Sequence, residues 1–195
     1  MRVLTLDTGM FIESCSELRR KFDAAYGSPD LIVGIATGGE FVARRFALPF
    51  EPIEIVRRQR RGTGAKNGLG RGLLSRLPIF LADTLRIAES KIYHLKWKLH
   101  GCKPLQPCFM KLNPELVGRL SEMRRGSVIA LVDDAADSGE TLLTVKEALK
   151  AAAPDLKIIS CVLTVTREEA SCAVDIALWK DGTLIRFPWS ADFRE

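Results

Sequence analysis

Short apolar runs that alternate with helical patterns are the feature of this chain that most constrains its fold. Leu31 to Ala36, Val128 to Val132 and residues 158 to 165 are apolar and rich in β-branched residues, and helix-like stretches separate them. Runs of this length and composition are typical of strands that are buried on both faces. Strands of this kind that alternate with helices predict an α/β fold with a doubly wound parallel sheet.

The helices are predicted from residue spacing and from the signals at their ends. Ser14 and Glu17 have the spacing of a capping box. Gly27 then ends the periodic stretch, so a helix is expected over residues 14 to 26. One further strand is expected at 53–56, and further helices are expected at 40–47, 78–99, 114–124 and 139–152.

The length of the chain suits one domain. A chain of 195 residues is long enough to bury a proper core, so residues 1 to 195 are expected to form a single domain. The helical stretch at about 77–126 is expected to be an insertion in it. The tail from 175 to 189 has the pattern of two strands with a turn at 180 to 182, which predicts a β-hairpin.

Hydropathy and cysteine usage indicate a cytoplasmic protein without a membrane partner. No apolar run reaches the roughly 18 residues that cross a bilayer, and residues 1 to 30 lack a signal-peptide pattern. The five cysteines have no metal-ligand spacing, so free thiols in a reducing cytoplasm are expected. A pairing of Cys102 with Cys108 is the alternative.

A basic stretch accounts for much of the net charge of +5. Residues 57 to 76 hold seven Lys or Arg residues, five glycines and no acid. Such a stretch buries little and its glycines keep it mobile, which suits either a solvated loop or a flexible clamp for a polyanion. Nucleic acid is a third candidate, although the stretch has no aromatic residue on which a base would stack.

The segment LVDDAADSGETL, residues 131 to 142, places acids where a buried strand is expected to end. Ligands of open parallel sheets bind beyond the carboxyl ends of the strands, and a following helix N-terminus favours an anion such as phosphate. Asp133 and Asp134 suit sugar hydroxyls or a bound Mg²⁺. The alternative is that Asp137 or Ser138 is an ordinary helix N-cap.

These residues resemble a known family. Val128 to Thr141 is similar to the phosphoribosyl-pyrophosphate (PRPP) signature of type I phosphoribosyltransferases, and DDAADSGETL is closest to the xanthine-guanine branch. LIVGIATGGEFVA resembles the pyrophosphate loop of that family, and LIRFPWS resembles the strand that closes its base-binding hood. The resemblance implies the type I phosphoribosyltransferase fold with a C-terminal hood hairpin and, often, a cis peptide in the pyrophosphate loop.

The resemblance also implies a reaction. A Mg²⁺-dependent enzyme would transfer the phosphoribosyl group of PRPP to a nitrogenous base and release pyrophosphate. The identity of this acceptor base is left open, and a purine-like base is one candidate. Asp133 and Asp134 would bind the ribose hydroxyls or the metal, and Asp137 would accept a proton. A homodimer is usual in the family. The residues implied to bind substrate are Ala36, Thr37, Gly38, Gly39, Arg57, Arg58, Asp133, Asp134, Ala135, Ala136, Asp137, Ser138, Gly139, Glu140, Thr141 and Arg167.

The chain departs from the family pattern at three positions. Thr37 stands where the family usually has Arg or Lys in the pyrophosphate loop, and Arg167 stands nearest to the lysine that reads the base's exocyclic oxygen. Leu184 stands where an aromatic residue would stack on the base. The alternative function is a PRPP- or nucleotide-sensing regulator that binds nucleic acid through its basic loop.

Overall fold

The structure, a computed structural model, describes residues 2–57, 78–99, 110–190 and 192–194. Apart from Arg57, the basic stretch lies outside the described residues, as do Cys102 and Cys108. In chain order the helices and strands are β1 (Val3–Thr5), α1 (Thr8–Tyr26), β2 (Leu31–Ala36), α2 (Gly38–Phe46), β3 (Ile53–Arg57), α3 (Ile79–Leu99), α4 (Pro114–Glu122), β4 (Val128–Ala136), α5 (Glu140–Ala152), β5 (Lys157–Val165), a 3₁₀ helix (Glu168–Ala173), β6 (Ile176–Trp179) and β7 (Leu184–Arg186).

The main sheet confirms the α/β prediction. Five strands pair in the order β3-β2-β4-β5-β6, and all four pairings are parallel. From β2 the chain winds outward to β3, whereas from β4 it winds the other way to β5 and β6. The topological switch point therefore lies between β2 and β4, and a doubly wound sheet binds its ligand outside the carboxyl ends of such strands.

Alternating side chains of the strands divide the core into two layers. Leu31 and Val33 of β2 pack in one cluster with the buried leucines of α4 and α5, whereas Ile32 packs in another cluster with α1 and α2. Successive side chains of a strand point to opposite faces, so one apolar strand feeds both layers. Within the described part of the chain, no helix combines the length and apolarity that a bilayer crossing requires.

The first helix begins earlier than the sequence predicts. Asp7 is the N-cap, and its carboxylate accepts a hydrogen bond from the Met10 N–H at 2.8 Å. Ser14, the predicted cap, lies inside α1 and donates its hydroxyl to the Met10 carbonyl at 2.7 Å. The start at residue 14 was wrong because a serine inside a helix satisfies its hydroxyl on the preceding turn. Gly27 ends the helix with a φ of 75°, as predicted.

The predicted C-terminal hairpin was also wrong. The two strands exist, but β6 pairs in parallel with β5 and β7 pairs in parallel with β1, with Val3 opposite Leu184. The segment between β6 and β7 is held against β5, because Thr164 of β5 donates its hydroxyl to the Thr183 carbonyl at 2.6 Å. This contact is incompatible with a tight hairpin turn between the two strands. Asp181 accepts from the Thr183 N–H and hydroxyl as well. These bonds send the chain across to β1 instead of back along β6.

A buried ion network joins the distant parts of the chain around Arg186. The Arg186 guanidinium donates to Asp192 at 3.0 Å, to Thr5 at 2.8 Å and to Asp83 of α3. Arg86, one turn further along α3, also donates to Asp192, at 3.0 Å. The side chains of Arg186 and Asp192 are 3% and 5% exposed, so the charges that balance each other here are almost fully removed from water.

Asp192→Asn is expected to destabilise the fold and to make the free energy of unfolding less dependent on pH in the acidic range. Burial alone would raise the pKa of Asp192, but hydrogen bonds from Arg86 and Arg186 outweigh burial and lower that pKa. A lowered folded-state pKa contributes stability that is present above the unfolded pKa of about 4 and is lost as the pH falls through the folded value. Removing one charge of a buried pair costs about 3–5 kcal/mol.

Urea unfolding at neutral and at acidic pH measures this effect. Asp155→Asn is the matched control, because Asp155 pairs with Arg125 at the surface and its side chain is 55% exposed. The control is expected to change the free energy of unfolding by less than about 1 kcal/mol. Equal losses in the two variants would contradict the importance of the buried network.

Candidate active site

The strand that carries the paired acids is longer than the sequence predicts. β4 continues through Asp133 and Asp134 to Ala136, whereas the sequence predicts its end at Val132. The extension is held by backbone pairing with β5, in which Asp133 lies opposite Val162 and Ala136 lies opposite Val165. Backbone pairing does not depend on side-chain polarity, so acids are tolerated on the last residues of this strand. The acids therefore lie on the strand itself at the switch point.

The glycine loop after β2 lies directly against these acids. A Cβ atom on Gly38 would lie 1.9 Å from Asp134 Oδ2, and one on Gly39 would lie 2.6 Å from the Val132 carbonyl oxygen. Only glycine permits so close an approach of two backbones. The peptide between Ala36 and Thr37 is cis, as the family resemblance implies. The loop and the acids thus form one compact surface at the ends of β2 and β4.

The two acids form a concentrated negative site. The Asp134 N–H donates to Asp133 Oδ1 and the Ala135 N–H donates to Asp134 Oδ1, both at 2.9 Å. Burial raises the pKa of Asp134, and the negative charge of Asp137 raises it further against the opposing hydrogen bonds from Asp133 and Ala135. A bound cation or hydroxyl donor would stabilise the charged form of these carboxylates.

Asp133 and Asp134 fit a Mg²⁺ ion that is shared with a phosphorylated substrate. Mg²⁺ commonly binds through one or two carboxylates together with substrate phosphates and water. Within the residues that the structure describes, no group of three or more His, Cys, Asp or Glu side chains is placed to hold a metal alone. Two adjacent carboxylates fit this mode of binding.

The start of α5 is suited to an anion. Gly139 is the N-cap of the helix, with a left-handed φ of 77°, and as a glycine it has no side chain that could form a cap bond. A Cβ atom at this position would also lie 2.9 Å from the Ala173 Cβ, so glycine is required on both counts. Ser138 Oγ accepts the Glu140 N–H at 3.3 Å. The first-turn N–H groups and the helix dipole favour a phosphate at this end of α5.

Asp137 is not the cap of α5. Its Oδ1 accepts the hydroxyl of Thr166 at 2.6 Å, which directs the carboxylate toward the end of β5. The interpretation of Asp137 as a helix N-cap is therefore wrong, because Gly139 occupies that position. The sequence reasoning missed Thr166, although its place immediately before Arg167 at the end of a core strand was a usable signal.

Arg57 lies beside the glycine loop. It is the last residue of β3 and pairs in register with Ala36 of β2. Its guanidinium lies 3.7 Å from Glu40 Oε2, and Arg44 binds the other oxygen of Glu40 at 2.9 Å. Glu40 was not identified from the sequence. It lies in the first turn of α2 and forms the ion pair with Arg57. Arg58 lies outside the described residues.

Arg167, which the sequence predicts to contact the acceptor base, follows β5. Its side chain is half-buried, and its Nε atom is fully buried. Leu184 is half-buried on β7. Trp189 stacks on Phe41 and Phe187 at centroid distances of 4.6 and 4.7 Å, so this ring is engaged within the protein. Two acids, a glycine loop and a helix N-terminus thus lie at the carboxyl ends of β2 and β4, and Arg57 and Arg167 lie at the carboxyl ends of the flanking strands β3 and β5.

A family model for the phosphoribosyl transferase domain matches residues 11–194. The chain belongs to the phosphoribosyltransferase family. It is an enzyme of that family, whose reaction uses PRPP and a base. Among curated protein sequences, none matches this chain.

Solved structures of phosphoribosyltransferases share the fold. A purine phosphoribosyltransferase from Pyrococcus horikoshii OT3 has a TM-score of 0.56 and 19% identity over 100% of this chain and 97% of that chain. A xanthine-guanine-hypoxanthine phosphoribosyltransferase from Helicobacter pylori has a TM-score of 0.55 and 16% identity over 97% and 95%. A hypothetical protein from Neisseria gonorrhoeae with bound ppGpp has a TM-score of 0.56 and 17% identity over 97% and 90%.

Gly39→Ala is expected to destabilise the fold of this phosphoribosyltransferase. The added methyl group would meet the Val132 carbonyl oxygen at 2.6 Å and the Asp133 Cα at 2.9 Å, and neither backbone atom moves without distorting β4. Forcing an extra group into a packed region costs typically about 1–3 kcal/mol. Thermal unfolding measures the loss.

Gly118→Ala is the matched control for this substitution. Gly118 lies inside α4, and a Cβ atom there would have no neighbour within 4 Å. Alanine in a helix interior is favoured over glycine by about 0.5–1 kcal/mol, so this variant is expected to melt at the same or a higher temperature. A Gly39→Ala variant that melts like Gly118→Ala would show that the loop does not need its close approach to β4.

Proposed function

We propose that this phosphoribosyltransferase transfers the phosphoribosyl group of PRPP to a ring nitrogen of a purine-like base, with Mg²⁺ and release of pyrophosphate. One observation carries the proposal. The paired acids of β4, the glycine loop after β2 and the N-terminus of α5 meet at the topological switch point of the sheet. Sugar hydroxyls, pyrophosphate and a 5′-phosphate need these three kinds of binding group, side by side.

Each part of PRPP has a matching group in the cleft. The segment from Asp137 to Thr141 would bind the 5′-phosphate through backbone N–H groups and hydroxyls. Asp133 and Asp134 would accept hydrogen bonds from the ribose hydroxyls. The backbone of Thr37 to Gly39 would approach the pyrophosphate closely, because the glycines carry no side chain. When bound, Mg²⁺ would neutralise charge on the phosphate oxygens at the two acids.

The reaction follows from this placement. The ring nitrogen of the base forms a bond to C1′ of the ribose while the bond from C1′ to the pyrophosphate oxygen breaks. The electron pair of the broken bond leaves with pyrophosphate, and the proton of the ring nitrogen passes to Asp137. Positive charge develops on the ribose and negative charge on the leaving group, so preorganised groups of opposite sign lower the barrier.

Arg57 would supply the charge that Thr37 lacks. Its position opposite Ala36 in the sheet brings it beside the loop, and Glu40 holds its guanidinium there at 3.7 Å. The Arg57 side chain is 71% exposed, so it is accessible to an anion. A pyrophosphate group would compete with Glu40 for the guanidinium, which is a strong phosphate-binding group.

Arg167 supports an acceptor with an exocyclic oxygen. It follows Thr166, whose hydroxyl binds Asp137, so Arg167 lies on the side of the cleft where the proposed proton acceptor is held. A guanidinium donates hydrogen bonds and accepts none. It would therefore prefer the carbonyl oxygen of an oxo-purine to the amino group of adenine.

The proposal includes a homodimer in the cytoplasm. Leu81, Leu85, Ile92 and Leu95 are exposed along one face of α3, which supports association of two copies. Cys15 and Cys161 are buried free thiols, which suits a reducing compartment. Sedimentation of the purified chain and cell fractionation measure these two expectations.

Pyrophosphate release from PRPP and Mg²⁺ tests the proposed function. Xanthine, guanine and hypoxanthine are expected to support release, and adenine is not, because it lacks the exocyclic oxygen. The double variant Asp133→Asn, Asp134→Asn is expected to bind Mg²⁺–PRPP at least about tenfold more weakly in calorimetry, since it loses charge-assisted bonds. Asp155→Asn is the control, because this acid precedes β5 at the opposite end of the sheet.

The outcomes of this test separate the two functions. Unchanged PRPP binding in the double variant would contradict the assignment of the two acids. Tight PRPP binding by the wild-type chain without turnover on any base would favour the PRPP-sensing regulator instead.

Arg57→Ala is expected to weaken binding of inorganic pyrophosphate about three- to tenfold, because an exposed charge-assisted contact is lost. Added salt should reduce the difference between variant and wild type. Calorimetric titration measures both effects. Arg119→Ala is the control, since Arg119 is an exposed arginine that binds Glu54 on the same strand as Arg57. An equal loss in the control would indicate a general effect of net charge and not a contact of Arg57.

A further inference from the structure

Thr166 makes a short side-chain hydrogen bond to Asp137, and this bond does not cap the neighbouring helix α5. Its hydroxyl oxygen lies 2.6 Å from Asp137 Oδ1 and 3.4 Å from the Ala136 carbonyl oxygen. That carbonyl already accepts the Thr166 N–H at 3.0 Å. A hydroxyl has one proton to donate. The shorter distance assigns that proton to the carboxylate.

The bond joins a fixed group to an accessible one. Thr166 is 5% exposed and its backbone continues β5, so its hydroxyl has little freedom to move. Asp137, in contrast, is exposed. An ionised carboxylate has two oxygens and about four acceptor positions, so a single bond to Thr166 orients Asp137 without using up its capacity to accept a proton.

We propose that Thr166 is a positioning residue for the transfer reaction, which holds the Asp137 carboxylate where the attacking ring nitrogen releases its proton. The inference rests on the proposed function. It follows from the geometry, because Gly139 is the N-cap of α5 and the Asp137 carboxylate is directed to Thr166 and not to that helix. A carboxylate on an exposed loop has several rotamers, and one short bond to a buried hydroxyl selects among them.

The predicted consequence is a loss of turnover without a loss of substrate binding. Thr166→Val keeps the shape of the side chain and removes the hydroxyl. Because a misplaced catalytic group loses much of its effect, kcat should fall by at least about tenfold, whereas the KM for PRPP should change by less than about twofold. Thr166→Ser keeps a hydroxyl and should retain kcat within about threefold of wild type.

Thr164→Val is the matched control. Thr164 is also a buried threonine near the end of β5, and its hydroxyl also makes a 2.6 Å bond, but to the backbone carbonyl of Thr183. Its removal should lower the melting temperature and leave kcat per folded molecule unchanged. The comparison separates the loss of a buried hydrogen bond from the loss of an oriented carboxylate.

A double-mutant cycle with Asp137→Asn decides the inference, with pyrophosphate release from PRPP, Mg²⁺ and the oxo-purines as the readout. If Thr166 acts through Asp137, Thr166→Val should reduce kcat by less than about twofold further in the Asp137→Asn background. Multiplicative losses in the cycle, or wild-type kcat in Thr166→Val, would overturn the inference and leave the proposed function intact. If Thr166→Val does not fold, Thr166→Ala takes its place in the cycle.

The wild-type reaction is the first arm of this experiment. Turnover by the wild type with an oxo-purine supports the proposed function before any variant is compared. Absence of turnover with every base would overturn the proposed function, and the inference would fall with it.

Discussion

The close approach of the glycine loop to β4 is the contact on which the cleft depends. Gly38 and Gly39 bring the backbone after β2 against Asp133 and Asp134, at distances that no side chain would allow. Parallel strands place their carboxyl ends at one edge of the sheet, so two loops with different chemistry necessarily become neighbours there. A negative site and a set of backbone donors are thereby held together by the packing of the sheet.

The acids of β4 and the neighbouring glycine loop suit different parts of a ligand. The acids suit hydroxyls and a metal ion, while the backbone of the loop and the start of α5 suit phosphate oxygens. Arg57 adds positive charge from a third strand, β3, and its guanidinium is paired with Glu40. Across the edge of the sheet, the carboxylates of β4 are therefore followed by the backbone N–H groups after β2 and by the positive charge of Arg57 on β3.

Patterns with a direct local cause were predictable from the sequence, and those set by distant partners were not. Apolar runs and helical spacing predicted the parallel sheet and the helices α3, α4 and α5, and the motif at residues 133 to 141 predicts a ligand site at the carboxyl edge of that sheet. The partner of β7 was missed because a strand of three residues carries no mark of which edge it joins. Thr166 was missed for a similar reason: its place before Arg167 marks it as the end of a core strand, but only the fold shows that Asp137 lies across from it.

The capping error at the first helix has a different origin. Both Asp7 and Ser14 are residue types that cap helices, and the spacing of Ser14 and Glu17 imitates a capping box. The structure selects Asp7 because the apolar face of α1 starts at Phe11 and must be covered from its first turn. Burial against the sheet therefore decided between two local signals of similar strength.

The network around Arg186 bears on the order in which the molecule assembles. Asp83 and Arg86 meet partners that lie 103 and 106 positions further along the chain, and β1 meets β7 at the other end of the sequence. The partners of β1, Asp83 and Arg86 all lie in the last residues of the chain, after every strand of the main sheet. During synthesis on the ribosome, β2 to β5 have their partners before β1 and α3 have theirs. On the ribosome the sheet and its glycine loop are therefore complete in sequence before the residues that tie down the first strand and α3 have been synthesised.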